Sequence, residues 1–325
     1  MAYSVTQGTL DSLEAAWNDV LPASATDSIF LTPRWQRLWW KHFGEGAEPL
    51  VFALEHDGTT VGIAPMYLRD GELSLMGSTE VCDYGDFVLP AEHCTGGLSA
   101  LFAHLEPLPW STLVLHSVPG ESPTLDFLRA LDSRYQVDIA QEDVAPQLEL
   151  GGDWEVYLSG LSKKDRHELR RKFRRLDAAG DVKFVTCTDH GALPSDVTDF
   201  LKLHRESRDD KAAFMTDHME AFFRETVTEF LGDGTARLSF LEVNGNRAAA
   251  ILAFDYRNDR LLYNSGFDQA FGYLSVGLLL KALSLREAIE GGKRRYDFLR
   301  GNEPYKYDLG AVDRPIYQCT VRRAD

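Results

Sequence analysis

Ten residues near the end of the sequence carry more chemistry than a turn requires. Asp297, Arg300, Glu303, Tyr305 and Lys306 crowd the run Asp297-Phe-Leu-Arg-Gly-Asn-Glu-Pro-Tyr-Lys306. Asp297 and Glu303 are candidates for a general base, and the run as a whole offers the side chains of acid–base chemistry. It follows a short strand expected over Arg295–Leu299, and loops carried on a rigid strand are where catalytic groups concentrate. The competing reading pairs Asp297 with a neighbouring Arg and gives Lys306 structural work. Upstream, Tyr263 and Asp268 flank a second expected strand, and Tyr263 could donate a proton only if it faces inward. His204 and Arg208 lie on an expected helix whose apolar residues are Phe200, Leu201 and Leu203; there His204 is either a half-buried histidine or a base.

One segment suits an anion. A strand ending at Gly266 leads through Phe267-Asp-Gln-Ala-Phe-Gly-Tyr-Leu-Ser275 into a helix opening Ser275-Val-Gly277. Uncapped N–H groups give such a helix start a partial positive charge that cradles phosphate. The plainer alternative makes Ser275 an N-cap and Gly277 a close-packing residue. Other motifs are missing: there is no G-x-S-x-G elbow, no G-x-x-x-x-G-K-[ST] phosphate loop, no H-E-x-x-H and no EF-hand loop, which removes serine hydrolases, P-loop kinases and zincins. Cysteines 82, 94, 187 and 319 show no C-x-x-C spacing, so they read as reduced thiols, with no metal expected.

The elements that must position these residues recur. Thr32 and Thr216 each stand at an expected helix N-cap, followed by Trp35, Leu38, Trp39 and by Met219, Phe222, Phe223 at helical spacing. After the first helix come Val51–His56, the turn Asp57-Gly58, Thr59–Arg69, the turn Asp70-Gly71 and Glu72–Gly77. After the second come Leu238–Val243, Asn244-Gly245, Asn246–Arg257, Asn258-Asp259 and Arg260–Gly266. Asn-Gly and Asp-Gly between apolar runs are strong hairpin signals. Thr95-Gly-Gly-Leu and Ser275-Val-Gly-Leu then each open a helix leading into a strand, Thr112–His116 or Arg295–Leu299. Both halves read helix, three antiparallel strands, helix, strand; the alternative is two unrelated domains sharing common turn signals. The fold class expected is α/β (α+β), with domains at 1–150 and 151–325.

The chain has 325 residues and a net charge of −16. The first 150 residues carry 6 Lys and Arg against 22 Asp and Glu, and the remainder 28 of each. The whole protein is therefore a poor nucleic-acid coat, while an anion site in the second half stays open. Leu161–Leu176 holds eight basic residues against Asp165 and Glu168, so a basic helix over 162–180 opens the second domain. No secretory signal or membrane span is visible, and a cytoplasmic protein is expected.

Gln269-Ala-Phe-Gly-Tyr-Leu274 resembles the [QR]-x-x-G-x-[GA] pyrophosphate loop of the GNAT acyltransferase superfamily, with Leu274 in place of the small residue. Ser162-Lys-Lys-Asp-Arg, Ser275-x-Gly-Leu-Leu and Asp297–Lys306 resemble the CelD-like branch, related to Fem peptidyl-transferases and built as two tandem GNAT-like domains. Gly62-Ile-Ala-Pro65 and Asp83-Tyr-Gly-Asp86 extend the likeness over about residues 28–320, and Val276 stands where that branch usually has Pro. The resemblance implies transfer of an acyl group, acetyl or longer, from acyl-CoA to an amine or hydroxyl of a small-molecule or saccharide acceptor. Gln269, Gly272, Tyr273, Ser275 and Gly277 would hold the cofactor. Lys306 would stabilise developing negative charge, beside Asp297, Glu303, Tyr305 and Tyr263. Asp83, Asp86, His204, Arg208 and Arg300 would meet the acceptor, Asp83 and Asp86 having turn formation as their competing role. The alternatives are a Fem-like transferase using aminoacyl-tRNA and a catalytically degenerate binding subunit. The oligomeric state stays open, since a tandem repeat supplies within one chain the pairing that single-domain relatives obtain by dimerising.

Overall fold

The computed structural model describes residues 2–189 and 191–324. In chain order its first elements are β1 (Tyr3–Gly8), α1 (Glu14–Val20), α2 (Pro33–Phe43), β2 (Glu48–His56), β3 (Thr59–Arg69), β4 (Glu72–Leu75), α3 (Ala91–Leu105), β5 (Thr112–Pro119), α4 (Pro123–Arg129) and β6 (Tyr135–Val144). There follow β7 (Gln147–Glu149), α5 (Trp154–Gly160), α6 (Lys163–Asp177), β8 (Val182–Thr186), α7 (Leu193–Ser207), α8 (Asp209–Phe214) and α9 (Asp217–Leu231). The chain closes with β9 (Ala236–Val243), β10 (Asn246–Tyr256), β11 (Asp259–Phe267), α10 (Val276–Glu290), β12 (Arg295–Asp297), α11 (Pro304–Asp308) and β13 (Pro315–Arg323).

Two mixed sheets flanked by helices result, in the orders β1-β2-β3-β4-β5-β13-β6 and β7-β12-β11-β10-β9-β8. The repeat is real at the level of local chemistry. Thr32 and Thr216 accept from the N–H groups of Trp35 and Met219, and the apolar triplets of α2 and α9 are buried. Asp57, Asp70 and Asn244 take positive φ before their glycines, as two-residue hairpin turns require. Each central hairpin also carries one extra residue at the same place: Val61 in β3 and Ala248 in β10.

Several boundaries differ from the sequence reading. The last hairpin of the second half turns on Arg257 and Asn258, with Arg257 at φ 53; Asp259 instead begins β11, where it receives Arg294 and Arg295. Helix α3 starts at Ala91, ahead of Thr95, because Pro90 favours extended backbone before it and suits a helix entry. The basic helix spans Lys163–Asp177. The units are also not the contiguous halves 1–150 and 151–325. One comprises 1–144 with 314–325, the other 145–313. The closing strand β13 inserts antiparallel between β5 and β6, where Ile316, Cys319 and Val321 are fully buried.

In the second unit α10 packs on the sheet with Val276, Leu279, Leu280, Leu285 and Ile289 in the core. Its partner strands are clamped at one end. Buried Arg260 donates to Asp255 at 2.7 Å and to Glu287 at 2.5 Å.

Candidate active site

Beyond that clamp the sheet of the second unit opens. β11 and β12 pair in parallel only from Asp259/Arg295 to Leu261/Asp297. β12 then stops, while β11 runs on to Phe267 with an extra residue at Tyr263, since Leu252 faces Asn264 and Ala253 faces Leu262. A bulge of this kind bends a strand and ends regular pairing, often beside an active site. The loop 298–303 and α11 rise from the tip of β12.

Two of the sequence candidates build this loop. Asp297 is 2% exposed; its Oδ1 accepts the Leu299 N–H at 2.8 Å and its Oδ2 the Gln147 amide at 3.0 Å. Lys306 is 1% exposed, and its ammonium donates to the carbonyls of Leu299, Arg300 and Gly301, each at 2.8 Å. With three N–H groups given to three carbonyls, Lys306 holds the loop and has no donor left for a reacting oxygen. Asp297 likewise pins the loop, so neither a base role for it nor direct charge stabilisation by Lys306 fits this geometry. Both are positioning residues.

Glu303 lies 2.9 Å from the Lys306 ammonium and keeps 44% of its side chain exposed, which leaves it open to solvent and ligand. Tyr305 stays a phenol: burial, then the Glu303 charge, push its hydroxyl well above the ordinary range.

Two lysines that the sequence reading passed over complete the cluster. Lys281, on α10, is 8% exposed; its Nζ donates to the Gly277 carbonyl at 3.1 Å and sits 4.7 Å from the centre of the Tyr305 ring. Burial, and next the Lys211 charge, lower it to about 7. Lys211, on α8, donates to the carbonyl of Ser265, on the stretch of β11 that has left β12, and burial followed by Arg208 lowers it to about 8. Loss of hydration disfavours an ammonium, and a second cation nearby adds to the effect. The signal for Lys281 was there: it is the one charge in the apolar run Val276–Leu285. Lys211, inside the charged run Arg208-Asp-Asp-Lys211, had none.

The anion-friendly segment also takes shape. A 3-10 turn over Gln269–Leu274 delivers Ser275 at φ 60, and the Ser275 side chain does not cap α10. Its hydroxyl instead accepts from Arg175 at 2.9 Å, so one cation of α6 stands at the start of α10. The Arg175 Nε is buried without a partner. Gly272 faces open space, Tyr273 is 68% exposed, and Gly277 lies against the Phe267 ring. An unbonded guanidinium nitrogen beside uncapped helix amides fits a phosphate group. Gln269 reaches the carbonyls of Glu206 and Ser207 at 3.3 Å. Leu274 and Val276, the two departures from the family pattern, are core residues, 2% and 0% exposed. Most of the other basic side chains of α6 are committed elsewhere, such as Arg170 to Glu155, Arg171 and Lys172 to Glu168, and Arg166 to the carbonyls of Leu158 and Ser159.

The other candidates take different places. His204 is 1% exposed among Phe200, Phe214 and Phe223, and burial, then Lys211, lower it to about 3. It is a neutral core histidine, not an acceptor contact. The Tyr263 ring packs against Phe223 and Phe254, with centroids at 5.6 and 5.2 Å. Arg208 pairs with Asp210 at the surface, near enough to Lys211 and Glu303 to act on them electrostatically, and Arg300, within the 298–303 loop, contributes its carbonyl to Lys306. Asp83 and Asp86 belong to the first unit. The carboxylate of Asp86 is 1% exposed and accepts from Thr26 and Thr124, each at 2.7 Å, and from the Phe87 N–H, so it anchors its loop and has no free face for a ligand; Asp83 is half-buried. Among the described residues no group of three or more His, Cys, Asp or Glu could hold a metal ion.

Residues 163–307 match the acetyltransferase (GNAT) domain family. The whole chain superposes on solved structures at low identity. FemX is 11% identical over 98% of this chain and 96% of its own, with a TM-score of 0.69. The C-terminal domain of a putative lysylphosphatidylglycerol synthetase from Agrobacterium fabrum is 10% identical over 96% and 92%, with a TM-score of 0.58. A tandem GNAT protein from the clavulanic acid biosynthesis pathway is 14% identical over 98% of both chains, with a TM-score of 0.55. Among curated proteins none matches the sequence. With the splayed strands, the turn into α10 and the repeated unit all present, residues 163–307 match the GNAT acetyltransferase domain family, and the chain as a whole has the fold seen in FemX and in the tandem GNAT protein.

Proposed function

We propose that the second unit transfers an acyl group, acetyl or longer, from acyl-CoA to an amine or hydroxyl of a small-molecule or saccharide acceptor. The observation that carries this reading is the meeting of Arg175 with Ser275 at the start of α10, on the same helix as a lysine held near neutrality. Acyl-CoA, when bound, supplies an activated thioester. Arg175 and the first amides of α10 bind its phosphates. Lys281, a free amine in a substantial fraction of molecules near pH 7, and the half-exposed carboxylate of Glu303 are the groups able to take the acceptor proton; a base works best when its pKa lies near the working pH. Tyr305, held protonated, is the donor for a developing negative charge. Lys306 and Asp297 keep Glu303 and Tyr305 in place.

Isothermal titration with acetyl-CoA and longer acyl-CoAs tests the reading. Arg175→Ala should weaken binding about tenfold, the loss of one charge-assisted contact, with little change in unfolding midpoint. Absence of binding to any acyl-CoA by folded protein overturns the assignment. A Fem-like use of aminoacyl-tRNA shares the FemX fold, but the net charge of −16 and the internal pairing of α6 weigh against it; tRNA affinity falling steeply with salt would favour it. The four cysteines are buried free thiols and, among the described residues, no helix is long and apolar enough to cross a membrane. A cytoplasmic setting agrees with both.

A further inference from the structure

The first unit has an opening of its own where β4 and β5 part. These strands pair in parallel from Glu72/Thr112 to Ser74/Val114; β4 ends at Leu75 and β5 continues to Pro119. The gap holds a cavity of about 160 Å³ whose walls include Tyr67, Ser74, Ser78, Tyr84, His116 and Ser117. Among the described residues no Lys or Arg lines it, and Glu72 is its one carboxylate.

Two bulges, one on each neighbour of β13, aim side chains at this cavity. Against β13, Val118 faces Tyr317 and Leu115 faces Cys319, so β5 carries an extra residue at His116–Ser117. On the other side Asp143 faces Ile316 and Gln141 faces Tyr317, so the extra residue of β6 is Glu142. Glu142 thereby reaches across β13. Its Oε1 lies 2.9 Å from His116 Nδ1, and its Oε2 accepts the Ser117 N–H at 2.7 Å. Ser117 is held at φ 54, a region that residues with a side chain avoid and that clusters at functional sites. The loop before Asp86 closes on the bulge through Gly85, whose N–H donates to the Ser117 carbonyl at 3.1 Å. A Cβ at Gly85 would lie 2.5 Å from the His116 carbonyl oxygen. The Ser117 hydroxyl is buried without a hydrogen-bond partner.

A carboxylate on Nδ1 orients an imidazole and leaves Nε2 as the nitrogen turned to a ligand. Here 40% of the His116 side chain is exposed. An unsatisfied buried hydroxyl is costly and persists where a ligand can complete it. A bulge serving only to shape the sheet needs neither. We propose that this cavity is a binding site for a small, uncharged, hydroxyl-rich ligand of about one sugar ring, gripped by His116 Nε2 and the hydroxyls of Ser74, Ser78 and Ser117, with Tyr67 and Tyr84 as apolar walls. The size is well below the several hundred Å³ of sites for larger ligands. The absence of any Lys or Arg among the described wall residues, within a half carrying 22 acidic and 6 basic residues, disfavours phosphate esters and carboxylates. The cleft that takes a polyanion in one unit would thus take a neutral polyol in the other.

The site is independent of the acyl-CoA reading, and its test needs no acyl-CoA. Saturation-transfer NMR on the full chain is run with a panel of neutral monosaccharides and alditols, and with glucose 6-phosphate and glucuronate as anionic counterparts. At least one neutral probe should bind, with affinity at least tenfold weaker in His116→Ala and in Glu142→Gln, and the Glu142→Gln change should also move the ¹⁵N shifts of the His116 imidazole. If either variant fails to fold, Ser74→Val and Tyr67→Leu, on the opposite wall, carry the same expectation. No binding of any neutral probe at millimolar concentration, undiminished binding in the folded variants, or preference for the anionic probes overturns the proposal.

Discussion

Lys281 and Lys306 lie in the same unit and are both buried, yet they solve burial in opposite ways. Lys306 gives its N–H groups to three carbonyl oxygens; Lys281 has one carbonyl and an aromatic face, and its charge is disfavoured. Replacing Lys306 by Met should therefore leave three carbonyls of the 299–301 loop without their donor and cost roughly 3–5 kcal/mol, read by urea unfolding. For Lys281 the native value of about 7 lies below the ordinary 10.5. Between those limits the unfolded chain binds a proton that the native chain does not, so this group makes stability rise with pH from about 7 to 10. Below 7 its full burial penalty is present. Lys281→Met should accordingly be more stable than wild type at pH 6.5, and its stability should vary less between pH 7 and 10; an unchanged slope would show that the amine stays charged. Turnover of acyl-CoA should fall in the same variant.

At the scale of elements, both proposed sites lie where strands stop pairing. β11 leaves β12 after Leu261 and β4 leaves β5 after Ser74; bulges at Tyr263 and at His116–Ser117 turn the strands that run on, and the bulge at Glu142 in β6 sets its carboxylate against His116. The opening in the second unit also depends on how closely β11 approaches α7. A Cβ added at Gly266 would lie 2.3 Å from the His204 nitrogen and 2.4 Å from its Cα, which are helix backbone atoms that cannot swing aside. Gly266→Ala should force strand and helix apart, destabilising by about 1–3 kcal/mol, with a lowered thermal midpoint and weaker acyl-CoA binding together. A drop in stability with normal binding would mean that this packing is remote from the site.

For the whole molecule the last strand matters more than its length suggests. β13 fills the place between β5 and β6 in the first sheet, although it follows the second unit in the chain. Deleting residues 314–325 removes the side chains of Ile316, Cys319 and Val321 from the core and exposes two strand edges at once. The first unit should lose its cooperative unfolding transition in calorimetry, and its amides in β5 and β6 should lose hydrogen-exchange protection. Retention of a normal transition would show that β13 is dispensable.

Short-range chemistry was legible in the sequence. Threonine caps at 32 and 216, the Asp-Gly and Asn-Gly turns, and the apolar spacing of α2 and α9 fix the helix and the hairpin of each repeat from neighbours a few residues apart, and so the tandem repeat could be read. Strands β1, β6, β7 and β13 left no such mark. β6, for example, is Tyr-Gln-Val-Asp-Ile-Ala-Gln-Glu-Asp-Val, half polar and without a turn signal, and it becomes a strand by pairing with residues more than 170 positions away. The site divides along the same line. The ten residues from Asp297 to Lys306 announced a loop of importance, but their roles followed from which carbonyls and amides surround each charge. Only the folded chain brings Lys281, Lys211 and Glu303 together, places Arg175 at the head of α10, and sets Glu142 against His116 across an intervening strand. The sequence by itself determined the elements and their repetition, because caps, turns and periodicity are local. Tertiary structure alone decided which ionisable groups are fully bonded and which keep a free face or a shifted proton affinity, because burial and partnership depend on residues distant in the chain.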